Sequence, residues 1–288
     1  MDIESYWRIQ MKRKIVADSS ANLLTLDGID FQSCPLVIRT NEREFVDDEN
    51  LNVEEMADYL KTYKGKSGSA CPGVGDYLAA FEGYDEVFVT TIISVLSGSY
   101  NAALIAKQQY EEENPGKKVC VIDSFSTGAE MKLIVDKFKE MIDEGKDFET
   151  IDKEIRDYKA NTTALIFCLE SMNNLANNGR VKPAVAAIAS ILGIRAIGDV
   201  DEGGLHPTDK VRGEKKATST IFTNMKKMGY KGGKLIIDHC FNTKAAEALK
   251  AMTLAEFPNA EVRVEETRGL CTFYAEKGGL IVGFEREL

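Results

Sequence analysis

The chain has 288 residues, 44% of them hydrophobic and 28% charged, a balance that suits an ordinary globular protein with about two cores of roughly 100–200 residues each. Its 46 acidic residues against 36 basic ones leave a formal net charge of −10, which repels phosphate backbones and anionic lipid surfaces and argues against nucleic acid as a partner. No stretch approaches the ~20 apolar residues of a membrane span, and MDIESYWRIQMKRK lacks the apolar run of a secretory signal, so a cytoplasmic protein without stable membrane insertion is expected.

Residues 1–12 read as an N-terminal extension. Short apolar runs rich in Val, Ile and Phe then predict strands at Lys14–Ser20, Cys34–Thr40, Glu86–Ile92 and Val119–Ser124. Helical patterns fall between and after them, at Val53–Tyr63, Asn101–Glu113 and Gly128–Glu144. The last places Met131, Leu133, Ile134, Val135, Phe138, Met141 and Ile142 mostly on one face. Strands alternating with helices imply a largely parallel sheet with helical crossovers. The charged segment Phe148–Ala160 reads as a solvated helix ending in Asn161-Thr162-Thr163, where a domain boundary is placed. The expected architecture is therefore α/β in two domains: residues 13–161 with a mostly parallel sheet flanked by helices, and residues 162–288 with a mixed sheet and helices. The second domain has strands at Ala164–Leu169, Ile194–Val200, Lys234–Cys240, Glu261–Glu266 and Cys271–Glu285, the last including a hairpin around Lys277-Gly278-Gly279.

Three of the first-half strands run straight into hydroxyl-rich turns: Asp18-Ser19-Ser20, Ser94-Val95-Leu96-Ser97-Gly98-Ser99 and Asp123-Ser124-Phe125-Ser126-Thr127. In open parallel sheets the carboxyl ends of the strands are where ligands bind. Serine hydroxyls beside helix N-termini suit an anion without a metal, although the same residues are ordinary helix caps. A fourth such loop, Gly65–Gly73, lies between two predicted helices. It contains Gly-Lys-Ser but lacks the earlier Gly and the feeding strand of a phosphate-binding loop, since position 60 is Leu60. The pair Gly73-Val74-Gly75 lacks the third Gly of a dinucleotide fingerprint, and no Gly-x-Ser-x-Gly elbow is present.

Six dispersed cysteines without CxxC spacing read as buried thiols, and the two histidines, His206 in a turn and His239 in a strand, have no second ligand at metal spacing. No metal site and no cofactor are expected. Lys210 and Arg212 precede a Lys-rich helix and read either as a solvated face or as a docking patch. Aromatics such as Phe81, Phe88, Phe138 and Phe222 read as core.

Taken in order, these motifs resemble the DegV family over nearly the whole chain. The opening strand ends in Asp18-Ser19. Ser69-Ala70-Cys71-Pro72-Gly73-Val74-Gly75-Asp76-Tyr77 is similar to the family's Thr-Ser-Gln-Pro-Ser-Pro-Gly-Asp-Tyr/Phe loop, and Ile93-Ser94-Val95-Leu96-Ser97-Gly98-Ser99-Tyr100 to its Ser-Ser-x-Leu-Ser-Gly-Thr-Tyr. Leu175–Lys182 is similar to Leu-x-x-Gly-Gly-Arg-Ile, and Lys210-Val211-Arg212-Gly213 to Lys-Val-Arg-Thr. The resemblance implies a non-catalytic carrier that binds one long-chain fatty acid between two domains and presents it to a separate ATP-dependent fatty-acid kinase. It implies carboxylate contacts from Ser69 and Ser94, additional pocket positions at Ser20, Ser97, Gly98 and Phe273, and partner docking through Lys210 and Arg212. Phe273 stands where the family often has a His. A head held by neutral hydroxyls, with no Lys or Arg beside it, is the expectation. The alternative is a small-molecule phosphotransferase with a serine-rich phosphate site and Mg²⁺ on Asp18 or Asp123.

Overall fold

The computed structural model describes residues 11–183 and 193–287, so the part of the N-terminal extension at 1–10 lies outside the described residues. In chain order the first half contains β1 (Arg13–Asp18), β2 (Asp30–Cys34), β3 (Val37–Thr40), β4 (Glu44–Val46), α1 (Val53–Thr62), β5 (Ser67–Ala70), α2 (Val74–Phe81), β6 (Glu86–Thr91), α3 (Ser99–Glu113), β7 (Lys118–Asp123), α4 (Ala129–Asp143) and α5 (Phe148–Asp157). The second half contains β8 (Thr163–Leu169), α6 (Asn173–Asn177), β9 (Ile194–Asp201), β10 (Gly204–Arg212), α7 (Glu214–Lys227), β11 (Leu235–His239), α8 (Thr243–Glu256), β12 (Val262–Glu266), α9 (Gly269–Ala275) and β13 (Leu280–Glu285).

A four-stranded sheet in the order β2-β1-β6-β7 is parallel throughout. A six-stranded sheet in the order β10-β9-β8-β13-β11-β12 is antiparallel except for β11 with β12, and is therefore mixed. The period-two alternation of strands builds three apolar layers from these two sheets. On β8, Leu165, Phe167 and Leu169 face the central layer, while Ala164, Ile166 and Cys168 face an outer layer with Ile221 and Phe222 of α7 and Leu249 of α8. On β1, Ile15 and Ala17 join the same central layer, and Val16 turns to the other outer layer, with Tyr77 and Phe81 of α2 and Ala103 and Ala106 of α3.

Helix α4 is shared by both sheets. It packs against β1 and β6 on one side and β8, β11 and β13 on the other, with nine of its residues buried. The close approach depends on Gly283 of β13, because a Cβ there would lie 2.4 Å from the backbone nitrogen of Glu130. Lys132 of α4 is fully buried and ion-paired to Asp238 at 2.7 Å and Glu265 at 2.5 Å, both in the second sheet. Asn22, just after β1, donates to the other Asp238 oxygen at 2.7 Å. Burial alone would lower the Lys132 ammonium, but the two carboxylates outweigh it and raise it above the ordinary lysine value.

Three predicted elements differ. The run Cys34–Thr40 is two strands, because Pro35 has no N–H for a ladder and the chain leaves the parallel sheet after Cys34. The loop Gly65–Gly73 contains β5, which completes a separate antiparallel sheet in the order β4-β3-β5 with Ser69 opposite Ile38. The predicted hairpin Cys271–Glu285 is instead α9 followed by β13. Among the described residues no helix is long and apolar enough to cross a membrane.

Candidate functional site

A cavity of about 300 Å³ opens between the two sheets, at the low end of the ~300–1,000 Å³ range of small-ligand pockets. The first half contributes Leu36, Ile92, Ile93 and Leu96; the second contributes Leu165, Phe167, Leu169, Leu175, Val200, Leu205, Leu270 and Ile281. Among the described residues the polar groups are few: Ser69, Ser97, Ser126, Thr127, Arg180 and Tyr274. The wall is thus apolar with a small set of donors, the arrangement expected for an amphiphile.

The donors are set by elements distant in sequence. Ser69 on β5 and Tyr274 on α9 share a hydrogen bond of 2.9 Å. Burial pushes the Tyr274 phenol up, against the opposing effects of Ser69 and Arg180, so at neutral pH it is protonated and able to donate. Helix α9 is aimed by Asp47, a buried carboxylate that accepts from the Gly269 and Leu270 N–H groups at 2.8 and 2.9 Å and so caps the helix from the other half of the chain. Gly269 is needed there: a Cβ would sit 2.7 Å from the Asp47 carboxyl carbon. Arg180 follows α6. Its guanidinium donates to the Asn178 carbonyl at 2.7 Å and the Leu96 carbonyl at 3.3 Å and lies 6.0 Å from the Tyr274 ring centre.

Of the residues named from sequence, Ser69, Ser97 and Gly98 line this cavity. Ser94 is half-buried but not among the lining residues; its N–H donates to the Asp123 carboxylate at 3.2 Å, and its neighbour Ile93 faces the cavity. Ser20 is fully buried away from the cavity, its hydroxyl engaged by the Asp18 carboxylate and 3.1 Å from the Met131 sulfur. Phe273 also turns away, because adjacent residues on a helix face different sides, and packs with Ile38 and Met56 while Tyr274 takes the cavity. The expectation of no nearby cation is corrected by Arg180. Lys210 and Arg212 are exposed on β10, the edge strand of the second sheet that leads into α7, with Val211 between them packed inward. His206, expected in a turn, is on the same strand opposite Asp199 and bonded to Asp201 at 2.6 Å, and His239 is buried at the end of β11.

Asp18 and Asp123 are not arranged for Mg²⁺. Asp18 is fully buried and accepts from Ser20, from Ser99 and from the Ile92 N–H, and burial raises its carboxyl. Asp123 accepts from the Ser94 and Phe125 N–H groups. Among the described residues no group of three or more His, Cys, Asp or Glu side chains is placed to hold a metal ion.

The fold and cavity define an α/β protein with an amphiphile-sized site between two sheets. Comparison with known proteins narrows the class: a family model described as "Uncharacterised protein, DegV family" matches residues 12–287. A DegV domain-containing protein of Streptococcus gordonii is 39% identical over 96% of this chain and 99% of its own. A DegV family protein from Eubacterium eligens, solved loaded with heptadecanoic acid, superposes with a TM-score of 0.93 at 42% identity, covering 96% of this chain and 100% of that one. The Streptococcus pneumoniae Fatty Acid Kinase (Fak) B3 protein, solved loaded with linoleic acid, gives 0.94 at 38% identity with the same coverage. This chain belongs to the DegV family.

Proposed function

We propose that the protein is a cytoplasmic carrier that holds one long-chain fatty acid in the cavity between its sheets and presents the carboxylate to a separate fatty-acid kinase, without catalysing a reaction of its own. The observation that carries this is the cavity itself, an apolar space walled by both halves of the chain with donors from only a few side chains. Burying ten methylenes is worth about 8 kcal/mol, so the tail supplies most of the affinity and the polar groups need only orient the head. Ser69 bonds the Tyr274 hydroxyl and Arg180 lies over the Tyr274 ring, and we assign the carboxylate to these three. Ser94, next to the cavity-lining Ile93, is proposed as a further head contact from the same loop. Arg180 Nε and Nη1 already donate to two carbonyls, so the guanidinium offers the head its charge and its remaining N–H groups rather than its full fork, leaving a carboxylate oxygen free to take a phosphoryl group. The acids bound by the Eubacterium eligens and Streptococcus pneumoniae relatives support the ligand class, and the kinase in the name of the second supports the partner. The exposed Lys210 and Arg212 on the edge strand are the proposed docking surface.

Thermal unfolding with and without ligand tests the reading. Palmitic or oleic acid at a hundredfold excess over Kd should stabilise the protein by about 2.7 kcal/mol, while methyl palmitate, equally apolar but uncharged, should give a much smaller shift. No shift with any acid contradicts the carrier function. Equal shifts with acid and ester contradict the head-group assignment.

A further inference from the structure

Three hydroxyls of the cavity wall are used by none of the contacts above: Ser97, whose Oγ accepts from the Ser99 N–H at 3.3 Å, and the adjacent pair Ser126 and Thr127. Ser126 is fully buried, lines the cavity, and its Oγ has no hydrogen-bond partner among the described residues. Thr127, next to it, also lines the cavity, and among the described residues its Oγ1 meets only the Cys271 sulfur at 3.4 Å, a weak partner. A buried hydroxyl without a partner is uncommon in a folded protein and calls for one.

The segment bearing them is held rigidly. Ser126 N–H donates to Ser124 Oγ at 3.0 Å, and its carbonyl accepts from Ser124 Oγ at 3.0 Å and from Ile93 N–H at 2.9 Å. Phe125 before it has φ +44°, left-handed backbone that an aromatic residue adopts only when its surroundings enforce it; here its N–H donates to Asp123 at 3.0 Å. The hydroxyls therefore belong to a fixed wall, carried by the same loop that braces Ile93.

Their place relative to the other donors follows from α9. Thr127 meets Cys271, and Ser69 meets Tyr274. Those two α9 residues are three apart, a rise of about 4.5 Å and a little under one turn, so Thr127 and Ser69 meet neighbouring levels of the same helix. Two hydrogen bonds of about 2.7 Å on the two oxygens of one carboxylate join donors roughly 5–7 Å apart. We propose that Ser126 and Thr127 form a second hydroxyl contact for the acid head, so that the carboxylate is gripped from the β7–α4 loop as well as from β5 and α9. The assignment rests on the fatty-acid reading and adds two recognition residues to it.

The test measures binding of palmitic acid and methyl palmitate to the full chain, native and with Ser126→Ala or Thr127→Val. Hydrogen bonds to a charged acceptor predict that each change weakens palmitic acid by about tenfold and methyl palmitate by less than threefold. Without ligand, Ser126→Ala should melt no lower than the native protein, because its hydroxyl satisfies nothing in the fold. Unchanged palmitic acid affinity in both variants overturns the proposal. So does an equal loss for acid and ester, which would mark a packing effect. If the native protein binds neither compound, the carrier reading itself fails, a result distinct from either.

Discussion

Ser69 and Tyr274 are 205 residues apart in the chain, yet their hydroxyls lie 2.9 Å apart at the cavity wall and bring donors from both halves of the chain to one point. Ser69 was legible because a hydroxyl survives in a loop whose order of residues resembles a family motif. Tyr274 was not, because its neighbour Phe273 occupies the matching position and only the phase of a helix shows which of the two reaches the cavity. Arg180 was visible as part of a motif but not as a cavity residue, since the segment that carries it is placed by contacts with Leu96 far upstream. Ser20 and Asp18 looked like a ligand turn and are a buried hydrogen-bonding hub instead. At this scale the account expects Ser69→Ala and Tyr274→Phe each to weaken palmitic acid about tenfold, since each removes a donor near a charged head. Because the two hydroxyls bond each other, the double variant should lose less than the product of the single losses. Isothermal titration of the four proteins decides it, and strictly multiplicative losses would mean that the two donors act on separate acceptors.

The elements that the sequence predicted well are those whose pattern is local: β1, β6, β7, α4 and β8 have uninterrupted apolar runs or a sustained helical face. Helix α9 escaped because its start is capped by Asp47 from the other half of the chain, and no local cap signals it. The short strand β5, Ser-Gly-Ser-Ala, has no apolar pattern and is a strand only because β3 supplies its partner. Helix α4 carries the main energetic consequence at this scale. Replacing Lys132 by Met leaves Asp238 buried without its cation, and this should cost about 3–5 kcal/mol in chemical denaturation. The sign of the pH dependence follows from the raised Lys132 value: the ion pairs contribute fully below the ordinary lysine value of 10.5 and are lost as pH rises through the higher folded value. The stability gap between native protein and Lys132→Met should therefore narrow above about pH 10.5. A gap that widens there would contradict the assignment of a charged Lys132.

At the scale of the whole molecule, two sheets sharing one helix leave a space between them that neither sheet fills with its own side chains. The alternation on β8 and β1 turns apolar residues inward from both sides, and the wall of the cavity is what remains where Ile92, Ile93 and Leu96 face Leu165, Phe167 and Leu169. The sequence showed two unlike halves and a resemblance to a lipid-binding family; it could not show the cavity, because a space between two sheets is a property of how they are set against each other. A carrier built this way retains its ligand through purification when tail burial dominates and exchange is slow. Denaturing extraction of the protein purified from a bacterial host, followed by mass spectrometry of the extract, measures that directly. The account requires about one long-chain fatty acid per chain; an extract with no fatty acid, from a protein that added palmitic or oleic acid also fails to stabilise, would contradict it.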